Sequence, residues 1–122
     1  MIGRIGAYMD DKITIYQKPT CSKCRVTLSL LKESGKEFES INYYETPLSA
    51  NKLRELIRKL NVSVREVLRK DEPSASSLSA ASDDEIIDAM IKNPDLIQRP
   101  IVVRGENAKL CRPPENVLEL LK

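Results

Sequence analysis

The chain of 122 residues contains no histidine and no tryptophan, one phenylalanine and three cysteines. Each shortage closes off a class of chemistry. Without His there is no Cys-His or Ser-His nucleophile pair and no His-containing zinc site. Three cysteines cannot complete a Cys-only tetrahedral site, so no metal is expected. Their odd number also argues against a secreted disulfide framework. The scarcity of aromatics leaves no stacking platform for bases. Charge of neither sign dominates: 20 basic residues face 18 acidic ones, a net of +2. That balance provides no footprint for direct nucleic-acid binding. No window approaches the roughly 18 apolar residues of a membrane span. Residues 1–11 hold one Arg, Gly3 and Gly6, with no apolar core and no clear period. They read as a loosely held leader and not as a signal peptide. A cytoplasmic protein, monomeric and away from membranes, is expected.

What is present suffices for one domain over residues 1–122. Ile13-Thr14-Ile15-Tyr16 is β-branched and aromatic and reads as a buried strand, with Pro19 in the turn after it. From Ser22 the pattern becomes helical. Val26 with Leu30, and Cys24 with Leu28 and Leu31, fall on adjoining parts of one apolar side, and Gly35 is placed to stop the helix after Ser34. A second strand is expected over 36–44, carrying Phe38, Ile41, Tyr43 and Tyr44.

Three helical segments follow. Ser49 is placed to cap the first, whose stripe is Leu53, Leu56, Ile57 and Leu60, with Asn61 at its exit. Ser63 to Glu66 matches a capping box opening a short helix that carries Arg65 and Arg69. The stretch 73–82 is rich in Ser and Ala and reads as a surface loop. Ser82 to Glu85 is a second capping box, opening a helix with Ile86, Ile87, Met90 and Ile91 that ends at Asn93-Pro94.

Pro100 stands at a strand entrance before Ile101-Val102-Val103, a position where sheets tolerate proline. Arg104 to Asn107 predicts a hairpin turn into a fourth strand at Lys109-Leu110-Cys111. Arg112-Pro113-Pro114 starts a last helix with Val117, Leu118, Leu120 and Leu121 on its apolar side. The first β-α-β requires parallel pairing and the late hairpin is antiparallel. The fold class is therefore α/β: a thioredoxin-like mixed four-stranded sheet with flanking helices and a helical insertion at about 48–98.

The chemistry gathers at Lys18-Pro19-Thr20-Cys21-Ser22-Lys23-Cys24-Arg25. The thiolate is the nucleophilic form of cysteine, and helix N-termini favour it. Cys21 falls at the predicted N-cap or first turn. With no imidazole available, Lys18, Lys23 and Arg25 are the nearby positive charges that would activate it. Cys24, one turn on, either resolves Cys21 in a C-x-x-C pair or packs on the helix's inner side. Cys111 closes a strand and reads as packed. Arg69, Arg99 and Arg112 each have an ordinary surface role open to them; together at a helix N-terminus they would form an oxyanion cage.

The order K-P-T-C-S-K-C-R, N-V-S-V-R-E-V-L-R-K, I-Q-R-P-I-V-V and K-L-C-R-P resembles the glutaredoxin-linked arsenate reductases of the ArsC type, over residues 12–122. The resemblance implies that Cys21 attacks arsenate, that Arg69, Arg99 and Arg112 bind the oxyanion, and that arsenite is the product. It implies a cis Pro100 beside the cysteine turn. It implies no bound cofactor, with electrons from an external thiol reductant: glutathione, glutaredoxin or thioredoxin. Two positions depart from the family. Gln17 stands where a His precedes the nucleophile by four residues, and Cys24 where a serine is usual. C-x-x-C also resembles the Spx-type regulators that share the fold and bind RNA polymerase, although those lack the arginine of C-R-P. A general thiol-disulfide oxidoreductase is the third reading.

Overall fold

The computed structural model describes residues 12–122, so the leader expected at 1–11 lies outside the described residues. The chain divides into two compact units: one runs up to Asn42 and resumes at Arg99–Lys122, the other is Tyr43–Gln98.

The first unit is the sheet. Strand β1 (Ile13–Gln17) pairs in parallel with β2 (Glu39–Asn42) and antiparallel with β3 (Ile101–Arg104), and β3 pairs antiparallel with β4 (Asn107–Leu110). The order is β2-β1-β3-β4. A parallel β1–β2 pair needs a crossover, and helix α1 (Ser22–Glu33) is its body. Gly105 takes φ 61° at the first central position of the β3–β4 turn, where an L side chain would be strained.

Ile13 and Ile15 of β1 pack with Leu31, Val102, Cys111, Val117 and Leu120 in one apolar core. Burying a side chain such as Leu31, fully enclosed here, contributes about 1.5–3 kcal/mol. The inner side of α1 differs from its expected form. Val26 is 45% exposed, and Thr27 is buried in its place with Cys24 and Leu31. Val26 lies two residues beyond Cys24, about 200° round the helix. Thr27 can enter the core because its hydroxyl donates to the Lys23 carbonyl at 2.8 Å.

Strand β2 is shorter than the predicted 36–44. It ends at Asn42, where its partner β1 ends at Gln17, and Tyr43 and Tyr44 pass into the second unit. The C-terminal segment begins as a 3₁₀ turn, Pro114–Val117, before a short helix α5 (Leu118–Leu121; α2 to α4 belong to the second unit). Three residues per turn align Val117 with Leu120 inward. Leu118, expected on the apolar side, is therefore 45% exposed.

The second unit is helical: α2 (Ala50–Leu60), α3 (Val64–Val67), a 3₁₀ turn Pro73–Leu78, α4 (Asp83–Lys92) and a 3₁₀ turn Pro94–Leu96. Its N-caps are those the sequence predicts. The Ser49 hydroxyl accepts from the Lys52 amide, and both capping boxes, Ser63–Glu66 and Ser82–Glu85, close in both directions. Such caps stabilise a helix by about 1 kcal/mol each. Asn61 ends α2 with φ 58°, as its position predicts. Two segments depart from expectation. The stretch from Pro73 is wound into a 3₁₀ turn that buries Ala75, not an open loop. And α3 stops at Val67: Leu68 turns extended and bridges Ile97, so Arg69 lies beyond the helix.

Candidate active site

Strand β1 delivers the cysteine turn. The chain leaves Gln17, and the Cys21 amide donates to the Lys18 carbonyl at 3.0 Å. Cys21 is extended (φ −83°, ψ 124°) and is the N-cap of α1, with its sulfur accepting from the Cys24 amide at 3.4 Å. Sulfur thus fills the place that a serine or aspartate oxygen takes at most helix starts. Cys21 is partly exposed and Cys24 fully buried.

The two thiols are driven apart electrostatically. Partial burial works against a Cys21 thiolate. The Cys24 thiol and amide, the Arg99 charge and the Lys23 amide outweigh it, and hold Cys21 below the usual thiol range. Cys24 is pushed up to about 12, first by burial and then by its hydrogen bond to Cys21 and that sulfur's charge. Cys111, closed in the core, is also pushed up to about 12 by burial. Of the two, Cys21 is the thiol that ionises first, and Cys24 holds its proton to higher pH.

The charge acting on Cys21 therefore comes from Arg99, 78 positions away in sequence, whereas spacing alone points to Lys18, Lys23 and Arg25. Lys23 contributes through its backbone amide, and Arg25 is exposed. Sheet register explains the distance. Tyr16 pairs with Ile101, so one further step sets Gln17 opposite Pro100 and the cysteine turn beside Arg99. On the other edge Ile101 pairs with Leu110, and two further steps set Arg99 opposite Arg112. The Cys111 amide donates to the Pro100 carbonyl at 3.0 Å, and Arg112 Nη1 donates to the Arg99 carbonyl at 3.1 Å. Arg99 is 8% exposed, and the Arg99–Pro100 and Arg112–Pro113 bonds are both cis.

Cys21, Cys24, Arg99, Pro100 and Arg112 thus share one unit. Arg69 belongs to the other. There its Nη1 donates to the Asp95 carbonyl at 3.2 Å, Nη2 lies 3.9 Å from the Asp71 carboxylate, and the buried Nε has no hydrogen-bond partner. Its amide donates to the Leu96 carbonyl at 2.8 Å, while Tyr44 donates its hydroxyl to the Asp95 carboxylate. Gln17 is buried at the foot of the cysteine turn. Its Nε2 donates to Ser40 Oγ at 3.0 Å, and its Oε1 has no partner. Among the described residues no group of His, Cys, Asp and Glu is arranged for a metal ion, and no helix is long and apolar enough to cross a membrane.

The lowered thiol yields a pH prediction. Alkylation rate follows the thiolate fraction. Iodoacetamide labelling of Cys21 should stay near its maximum down to its lowered pKa and fall only below it, half-maximal at a lower pH than for an ordinary cysteine. Cys24 and Cys111 should stay unlabelled until the protein unfolds. Peptide mapping across a pH series measures both; a Cys21 midpoint at or above that of free cysteine would contradict the geometry.

The ArsC family profile matches residues 16–120. An uncharacterized Escherichia coli K12 protein, YfgD, is 45% identical over 118 residues, covering 93% of this chain and 99% of its own length. The arsenate reductase of the same strain is 44% identical over 115 residues, covering 91% of this chain and 82% of its own. Among solved structures, an arsenate reductase from Vibrio cholerae superposes with TM-score 0.85 at 41% identity, covering 89% of this chain and 97% of its own. The mixed sheet is that of the thioredoxin-like fold these proteins share. The chain belongs to the ArsC family.

Proposed function

We propose that the protein is an arsenate reductase in which Cys21 is the nucleophile. The observation that carries this reading is a partly exposed thiol held toward thiolate at a helix N-terminus, under the charge of Arg99. The Cys21 sulfur attacks arsenic(V), an arsenate oxygen leaves as water, and a sulfur–arsenic bond forms. A second thiol then attacks the Cys21 sulfur. The sulfur–arsenic bond breaks with its electron pair going to arsenic, which departs as arsenite. Two thiols become one disulfide as arsenic(V) becomes arsenic(III), so electrons balance.

Arg99 and Arg112 are the oxyanion ligands within the sheet unit, and Arg69 carries the third guanidinium of the family pattern. Their planar forks suit tetrahedral oxygens better than the point charge of a lysine. Lys23 and Arg25 support the site at the first turn of α1, and Pro100 shapes the strand entrance beside it. No prosthetic group is required; an external thiol supplies the electrons, with glutathione, glutaredoxin or thioredoxin as the reductant in the cytoplasm. The arsenate reductases among the relatives favour this reading over a transcription regulator.

Arsenic speciation tests it. Incubation with arsenate and glutathione plus glutaredoxin, or with arsenate and the thioredoxin system, is expected to yield arsenite above the protein-free blank. Blank-level arsenite with both supplies would overturn the assignment.

A further inference from the structure

Nothing in the reaction just described assigns a role to Cys24, the buried thiol one helical turn from the nucleophile. Its surroundings are specific. It is fully buried, so a thiol arriving from solvent meets Cys21 and not Cys24. Its amide donates to the Cys21 sulfur at 3.4 Å, and its thiol interacts with the same sulfur, so the two cysteines lie close together. The i, i+3 spacing at a helix start is one that a disulfide can close.

We propose that Cys24 is a catalytic residue that resolves the Cys21–arsenic bond within the chain, releasing arsenite before any external thiol acts and leaving a Cys21–Cys24 disulfide for a dithiol reductant. The proposal rests on the arsenate reading and names the partner class that reading leaves open. Cys24 sulfur attacks Cys21 sulfur; the sulfur–sulfur bond forms as the sulfur–arsenic bond breaks. The electron pair of the broken bond stays on arsenic, and the Cys24 proton passes to an arsenite oxygen. Two thiols and arsenate give one disulfide, arsenite and water.

The electrostatics supply the timing. In the resting protein the charge of Cys21 and the hydrogen bond to it both help keep Cys24 protonated, after burial. Once Cys21 is bonded to arsenic, its thiolate charge is gone. Arg99 and the Lys18 amide, which both pull the Cys24 pKa down, remain. Cys24 is thus a donor to the thiolate before the adduct forms and becomes easier to ionise after it. The disulfide that results is exposed on the Cys21 side alone, so a dithiol protein can open it by attack on that sulfur.

The test is a single turnover without reductant. Fully reduced protein is mixed with excess arsenate, the small reductant having been removed. Arsenite is then measured, and the remaining thiols are mapped by alkylation after the protein is unfolded in denaturant, which opens Cys24 and Cys111 to the reagent. The expected result is about one arsenite per chain, with Cys21 and Cys24 lost together to alkylation as a mutual disulfide and Cys111 still free. Cys24→Ser should release no arsenite under these conditions and recover release when glutathione is added.

Wild-type protein that makes arsenite with glutathione but none alone, its cysteines still reduced, would overturn the inference and leave the arsenate reading standing. Equal reductant-free release from Cys24→Ser would also overturn it. Arsenite in no arm at all would remove the arsenate reading itself, and this inference with it. Disulfide mapping on the wild type needs no variant, so a misfolded Cys24→Ser would not shield the proposal.

Discussion

Cys21→Ser should reduce arsenate turnover to the level of the protein-free blank, a loss of about 10³-fold or more. The substitution removes one atom's chemistry and little else. The position is a helix N-cap whose side chain accepts from the Cys24 amide, and serine is among the residues best suited to that task. The helix start is thus kept, and thermal unfolding should shift little. What disappears is ionisation. The surroundings of Cys21 lower its thiol pKa, but an alcohol starts far above a thiol and stays protonated beside the same groups. A Cys21→Ser protein that unfolds normally and still makes arsenite would show that the nucleophile lies elsewhere.

Arg99→Ala carries the second-largest expected effect, a fall of about 10²–10³-fold in kcat/KM for arsenate. Two losses combine in it. The oxyanion loses a guanidinium, and Cys21 loses a side-chain charge that lowers its pKa. The alkylation profile of Cys21 should therefore move to higher pH in this variant. Arg112 separates the two effects. It is tied to the Arg99 carbonyl and is not among the groups that lower Cys21. Arg112→Ala should raise KM for arsenate and leave the Cys21 profile where it is. Identical profiles in wild type and Arg99→Ala would contradict the electrostatic account of the thiol.

Much of this arrangement is legible in the sequence, because local chemistry governs it. Ser63 and Ser82 name their helix starts through the glutamates three residues on, and Cys21 falls at the N-cap that its turn implies. The mixed pairing, parallel for β1 and β2 and antiparallel for β3 and β4, follows from a crossover and a hairpin. Other features depend on partners far along the chain. Val26 and Thr27 are adjacent, and which one enters the core depends on the phase of α1 against the sheet and on a hydroxyl satisfied within the helix. Leu118 is exposed because a 3₁₀ turn precedes it. The activating charge of Arg99 reaches Cys21 through strand register, which spacing within the K-P-T-C-S-K-C-R segment cannot reveal. Arg69 left its predicted helix because Leu68 pairs with Ile97, a long-range bridge without a local signature.

The cysteine pair divides its labour by environment. Both residues are thiols of the same intrinsic acidity, three positions apart on one helix start. Exposure and the hydrogen bonds accepted from Cys24 select Cys21 for attack, and enclosure reserves Cys24. A chain without histidine thus obtains an activated nucleophile from a helix terminus, one arginine and a neighbouring thiol.

The most direct measurement of this account is arsenite release by wild type and by Cys21→Ser, side by side, from the same arsenate and the same glutathione–glutaredoxin supply. The account predicts steady arsenite formation by the wild type and blank-level release by the variant. Equal release from the two proteins, or none from the wild type, would contradict it.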